Sequence, residues 1–184
     1  FHSVFHTALI GLLLFFTTPV LAADDPLAKW QPDFDPSSAE YKYMLSCVGH
    51  PAIEGVSVGY RIRDRVWKET GGKLFVDFRP MSQLGGEKAV INKLKSNMIN
   101  GMMSSSVAAA NIAPKLGIVN LPYVVDTFEK LDTFRATPEL WKPFKEAPRS
   151  VGLEVLDFTG YGSYGWASTK PVTTLAEAAG VNFR

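Results

Sequence analysis

The chain has 184 residues, 46% hydrophobic and 20% charged, with 19 basic and 18 acidic side chains for a formal net charge of +1. That balance is ordinary for a globular protein, and it excludes the basic stripe needed to neutralise a run of phosphates, so no nucleic-acid partner is expected. One cysteine, Cys47, excludes an intramolecular disulfide; within the apolar run Tyr43 to Val48 it reads as a buried structural thiol rather than a nucleophile.

The first 23 residues carry no Asp, Glu, Lys or Arg. Their run Ala8 to Phe16 has the length of a signal-peptide core and is too short to span a bilayer comfortably. Val20-Leu21-Ala22 supplies the small residues for cleavage after Ala22, with Ala23 as the neighbouring option. A positive leading region and an initiator Met are both missing, which implies that residues preceding Phe1 have been lost. Residues 1–23 are therefore expected to be a signal peptide, and the mature chain to be exported to the periplasm.

Residues 24 to 40 are polar and rich in proline, an extended lead-in. Tyr41 to Gly49 is the first strand candidate, closed by His50-Pro51. A helix is expected from about Pro51 to Glu69, with Gly55, Val58, Gly59, Ile62 and Val66 on one arc against a sheet and Arg61, Arg63, Asp64, Arg65 and Lys68 as a solvated surface. Gly71-Gly72 can end that helix in the left-handed conformation, and Leu74, Val76 and Phe78 alternate as a mostly buried strand before Pro80 stops the ladder. Gln83-Leu84-Gly85-Gly86 then leads into a helix from Glu87 whose face is Val90, Ile91 and Leu94. A glycine pair before a helix start suits close approach of a ligand, although a tight strand-to-helix turn has the same signature.

Met98 to Met103 fits a third strand ending in Ser104-Ser105-Ser106. Ala108 to Leu116 is weakly helical and broken by Pro114; Ile118 to Val125 reads as extended; Asp126 can cap a helix carrying Phe128, Leu131 and Phe134. Pro138 starts another with Leu140, Trp141 and Phe144. Glu154 to Phe158 reads as a strand, followed by the glycine-rich Gly160 to Gly165, Trp166 to Thr169, and a short helix from Thr174 to Ala179. Strands alternating with helices imply an α/β fold with a mainly parallel sheet covered on both faces, and ligands in such sheets sit at the carboxyl ends of the strands. Those ends are Gly49-His50, Pro80 to Gly86, and Ser104 to Ser106.

Several chemistries are excluded by residue type. His2 and His6 fall in the signal segment, which leaves His50 as the single mature histidine and rules out a histidine cluster for zinc. Gly72-Lys73 lacks the spacing of a phosphate loop, and the serine run lacks a G-x-S-x-G elbow. No cofactor or metal is expected, and the chain is not expected to be an enzyme; a secreted enzyme using His50 as base is a distant alternative.

His50-Pro51, Thr70-Gly71-Gly72-Lys73-Leu74, Pro80 with Gln83-Leu84-Gly85-Gly86-Glu87, Leu121-Pro122-Tyr123 and the terminal Gly180-Val181-Asn182-Phe183-Arg184 stand in the order found in the DctP-like substrate-binding subunits of tripartite ATP-independent periplasmic (TRAP) transporters. The chain resembles that family across the mature sequence. The resemblance implies a bilobed, class II periplasmic-binding-protein-like fold. Residues 24–160 would be the first lobe, and 161–184 a crossing strand and the start of a truncated second lobe. It implies capture of a small organic anion for integral-membrane permease subunits; the substrate-binding subunit of an ATP-driven importer is the alternative within the same class.

The resemblance also implies roles for particular residues. Arg184 matches the arginine that pairs with the ligand carboxylate, while Glu87, Ser104, Ser105 and the turn at His50 match positions at the mouth of the first lobe. Tyr164 stands where sialic-acid-binding members carry a second arginine, which favours a mono-carboxylate. Tyr164, Trp166, Tyr161 and Phe158 are expected to supply flat walls to the cleft.

Overall fold

The computed structural model describes residues 27–162 and 167–181. The expected signal segment lies outside the described residues, as do Tyr164, Trp166 and Arg184. The chain divides into two compact units, Phe1–Asp33 and Phe34–Arg184; in the first, the described residues hold one short 3-10 turn, Ala28–Trp30. Among the described residues no helix is long and apolar enough to cross a membrane.

The second unit is built on β1 (Tyr41–Cys47), α1 (Glu54–Glu69), β2 (Leu74–Arg79), α2 (Glu87–Lys95) and β3 (Gly101–Met103). The three strands form one parallel sheet in the order β2-β1-β3. Tyr43 pairs with Val76 and Leu45 with Phe78, while Leu45 also faces Gly101 and Cys47 faces Met103. Because side chains alternate, Tyr43, Leu45, Cys47, Val76 and Phe78 share one face, and Lys42, Met44, Ser46, Asp77 and Met102 share the other.

Helix α1 packs on the first face with Gly59 against the Phe78 ring and Tyr60 edge-on to it, centroids 4.9 Å apart. Its buried stripe is Val56, Gly59, Tyr60 and Arg63, with Ser57, rather than the expected arc; Ile62 is exposed and Arg63 buried. The correction has an aromatic cause. The Arg63 guanidinium lies 5.0 Å from the Tyr60 ring and 5.9 Å from Phe34, and its Nε donates to Asp64 at 2.7 Å, so the charge is buried with partners. Trp67 at the end of α1 stacks on Phe34 at 4.5 Å and meets Phe75 edge-on, closing the lower corner.

Helix α2 covers the other face through Val90 and Leu94, which cluster with Ile99, Met44 and Met102. Asp77 is buried on this face and is held by Arg79 at 2.7 Å and Lys42 at 3.2 Å.

After β3 come α3 (Ser106–Ala109), a 3-10 segment Pro114–Asn120, α4 (Phe128–Ala136), α5 (Pro138–Glu146), a 3-10 turn Ala147–Val151 and α6 (Leu175–Ala178). The elements from α3 to the Ala147–Val151 turn enclose a second core of Ala113, Leu116, Val119, Phe134 and Phe144, against which Trp141 and Phe158 pack, whereas α6 buries no residue.

Four local expectations fail here. The third strand begins at Gly101, because Asn97 turns the chain at φ +57° and leaves Met98 exposed. Residues 118–120 belong to the 3-10 segment that Pro114 initiates, an ambiguity inherent in short apolar runs. Thr127, not Asp126, caps α4: its Oγ1 accepts from the Lys130 N–H at 3.1 Å, and Asp126 pairs with Lys130 Nζ at 2.7 Å. Residues 154–158 form no strand, since the Val155 N–H is spent on the Lys145 carbonyl at the end of α5.

Candidate ligand-binding site

In the order β2-β1-β3, the chain leaves β1 through α1 towards one edge of the sheet, and then crosses back through α2, on the opposite face, to place β3 on the other side of β1. The carboxyl ends of β1 and β3 therefore flank a topological switch point, where α/β sheets open a crevice. Three loops meet at this end of the sheet: Val48–Ile53, Pro80–Gly86 and Ser104–Ser105.

Two backbone bonds tie the first loop to the second. The Met81 N–H donates to the Gly49 carbonyl at 2.9 Å, and the Ser82 N–H to the Cys47 carbonyl at 3.2 Å. To make them, Met81 and Ser82 both adopt φ +56°, a left-handed conformation costing about 1–2 kcal/mol for each non-glycine residue. Gly85 at φ +103° then lets the chain turn into α2, its N–H donating to the Ser82 carbonyl at 2.8 Å. Lys93 reaches back from α2 to the Leu84 carbonyl at 2.8 Å. Nothing in the sequence signals the Met81-Ser82 turn, because neither residue type favours positive φ. The signal that exists is Pro80, fully buried, which fixes where the strand must stop.

The second loop is joined to the third by Glu87, the first residue of α2. Its Oε1 accepts from the Ser105 N–H at 3.1 Å, the Ser105 hydroxyl at 3.1 Å and the Ser104 hydroxyl at 3.4 Å. Ser105 also caps α3, its Oγ accepting the Ala108 N–H at 3.1 Å. The structure thus brings together Glu87, Ser104 and Ser105, residues remote in sequence. Ser104 and Ser105 are exposed and Glu87 is half-buried.

His50 sits on the first loop, exposed, and its Nδ1 accepts the Ala52 N–H at 3.0 Å. That bond assigns the imidazole proton to Nε2, which faces outward as a donor. The imidazole has no other hydrogen-bond partner among the described residues, so no acid, base or nucleophile is paired with it. The fully buried Pro51 anchors the turn, and a Cβ at Gly49 would strike the Val56 side chain 2.5 Å away.

Beneath these loops Cys47 is buried. Burial pushes its thiol pKa up, and the Glu87 charge adds to the effect, so the sulfur stays protonated and unreactive. Among the described residues no three His, Cys, Asp or Glu side chains converge in a way that could hold a metal ion. Of the expected aromatic walls, Phe158 packs on Phe144 in the second core at 5.4 Å, and the Tyr161 ring lies against Gly55 of α1. Phe158 is therefore core rather than cleft. This end of the sheet gathers hydrogen-bonding groups from three loops.

The profile of "Bacterial extracellular solute-binding protein, family 7" (DctP) matches residues 57–184. YiiZ of Salmonella typhimurium, named an uncharacterized protein, is 25% identical over 126 residues, covering 65% of this chain and 37% of YiiZ. A TRAP periplasmic solute-binding protein of Anaerococcus prevotii with bound D-glucuronate superposes at a TM-score of 0.68 and 21% identity, covering 76% of this chain and 46% of that one. One from Xanthobacter autotrophicus with bound β-D-galacturonate gives 0.66 and 24% identity, over 71% of this chain and 43% of that one. One from Haemophilus influenzae with bound L-gulonate gives 0.64 and 18% identity, over 76% and 46%. The chain spans less than half the length of these relatives.

Proposed function

Since the chain belongs to the bacterial extracellular solute-binding proteins of family 7, we propose that it contributes the first lobe of a periplasmic receptor that captures a small organic acid for TRAP-type secondary transport. The observation that carries this reading is the meeting of three loops at the switch point of the sheet, with Glu87, Ser104 and Ser105 hydrogen-bonded together at its edge. The acids bound by the solved relatives, glucuronate, galacturonate and gulonate, together with succinate and malate in two further TRAP proteins, all carry a carboxylate.

In this proposal Arg184 holds the ligand carboxylate, its planar guanidinium suiting a bidentate pair. Tyr164 and Trp166 belong to the same proposal as cleft walls. Binding draws two lobes together about a hinge, and the closed form is the one presented to integral-membrane permease subunits. Residues 1–23 direct export.

A thermal-shift screen of carboxylic acids against the complete gene product tests it. A binding acid should raise the melting temperature, and Arg184→Ala should abolish the shift, since a hydrogen bond to a charged group is worth about 1.5–3 kcal/mol, roughly ten- to a hundredfold in Kd. A ligand whose stabilisation survives Arg184→Ala removes the carboxylate role from that residue.

A further inference from the structure

We propose that His50 is a proton-operated positioning residue. Its neutral imidazole ties off the turn that leads into α1, and protonation releases that turn, so the first of the three loops at the carboxyl end of the sheet has a pH-dependent shape. This device needs no ligand and stands apart from the organic-acid reading above.

The direction of one hydrogen bond carries the proposal. The Ala52 N–H donates to His50 Nδ1 at 3.0 Å, two residues back, in the way an asparagine side chain closes an Asx turn. A ring nitrogen accepts only while it carries no proton; imidazolium has two N–H donors and no acceptor. A proton on Nδ1 therefore sets donor against donor, and the bond is lost. Imidazole is the side chain whose charge ordinarily changes between pH 5 and 8.

The turn runs directly into the first turn of α1. The Ile53 N–H donates to the His50 carbonyl at 3.0 Å, and the Val56 and Ser57 N–H groups donate to the Ile53 carbonyl at 2.9 and 3.0 Å. Ile53 stands at the N-cap and has no side chain able to cap, so the imidazole supplies the side-chain acceptor that this helix start lacks. Pro51 is fully buried and Ala52 exposed, so on release the proline stays anchored while the Ala52 N–H turns to water. The charged and titratable groups on the neighbouring elements are Glu54 at the start of α1, Glu87 at the start of α2, Arg79 at the end of β2, the buried Cys47 thiol, and Tyr161, whose ring lies against Gly55. Arg79 is engaged with Asp77, and Glu87 with Ser104 and Ser105. Among the described residues none of these groups makes an ion pair or hydrogen bond with the imidazole, so none holds the turn once Nδ1 is protonated.

Nuclear magnetic resonance of the complete gene product tests this, with carbonyl-labelled proline and 15N-labelled alanine marking the Pro51-Ala52 amide, a dipeptide that occurs once in this sequence. Two variants separate the ring nitrogens. In His50→Asn the amide oxygen lies where Nδ1 lies, closes the same turn and does not titrate; in His50→Gln it lies nearer the place of Nε2 and cannot close it. From pH 8 to pH 5 the wild-type Ala52 amide is expected to move from the position seen in His50→Asn to that seen in His50→Gln. Its exchange with water, corrected for the intrinsic pH dependence, should rise about two- to tenfold, the worth of one hydrogen bond. The Ala52 amide of His50→Asn should hold one position across the range, which a pH-independent structural role for the histidine would not distinguish from wild type. An Ala52 amide that stays in place while the His50 ring titrates overturns the proposal. So does a ring that stays neutral down to pH 5, a His50→Asn amide that follows the wild-type curve, or a His50→Gln amide that coincides with that of His50→Asn. If His50→Gln does not fold, the wild-type titration and His50→Asn decide.

Discussion

Replacing Gly59 with alanine sets two effects of known size against each other. In the interior of a helix, alanine is favoured over glycine by about 1 kcal/mol, so propensity alone predicts a more stable protein. Gly59, however, sits in the middle of α1 where a Cβ would be driven into the Cζ, Cε1 and Cε2 atoms of Phe78. That ring cannot swing aside: it is 6% exposed, lies on the sheet face that α1 covers and is held edge-on by Tyr60 at 4.9 Å. Forcing extra volume into a packed core costs about 1–3 kcal/mol, which outweighs the propensity gain and leaves a net loss of up to about 2 kcal/mol. Urea unfolding followed by circular dichroism should show a lower midpoint with an unchanged slope. Phe78→Leu removes the ring, so the double variant should lose less than the sum of the two single losses, with a coupling of about 0.5–3 kcal/mol. A Gly59→Ala protein that is more stable than wild type by the propensity increment would refute the packing argument.

Three further outcomes follow from the geometry. Burial pushes the Asp77 carboxyl up, but the hydrogen bonds and charges of Arg79 and Lys42 outweigh it and hold the group below the usual carboxylate range. A carboxyl depressed by folding adds stability above its unfolded pKa of about 3.9 and loses it as pH falls through the folded value, so Asp77→Asn should flatten the urea midpoint's decline below about pH 4 while lowering it at neutral pH. Cys47 should react slowly with a thiol-specific disulfide reagent in the native protein and stoichiometrically in urea; rapid native reaction would contradict its burial and raised pKa. Ser105→Ala removes the cap of α3 and a Glu87 partner, and should cost about 1 kcal/mol, a fall of about 2–4 °C in melting temperature.

The parts of the fold legible in the sequence are those where one physical signal dominates. Gly71 and Gly72 do take positive φ, at +59° and +80°, and Pro80 follows the last residue of β2, because no other residue types answer those backbone demands as well. Alternation located β2, and the short helix expected from Thr174 to Ala179 contains α6, where the structure shows Thr174 and Glu177 forming a reciprocal capping box. The buried stripe of α1 was not legible, since charge argued for placing Arg63 in water while its neighbours Tyr60 and Phe34, one of them far away in sequence, supply a surface that buries it. Nor was the end of the sheet: residues 154–158 alternate like a strand, yet a strand exists only where another strand accepts its ladder.

The candidate site divides in the same way. That Glu87, Ser104 and Ser105 lie near one another follows from strand direction alone, because parallel strands deliver all their following loops to one end. What the sequence could not supply is the direction of each hydrogen bond. Read as residue types, two serines and a glutamate offer donors and acceptors in equal measure, compatible with a carboxylate, an amine or a sugar. In the structure both serine hydroxyls are turned to Glu87 Oε1, so the three residues are tied to one another. The geometry of this edge is a property of how the loops satisfy one another, and the strained Met81-Ser82 turn takes part in it. By tying the second loop to the carbonyls of Cys47 and Gly49, it fixes where α2 begins and hence where the Glu87 carboxylate can reach.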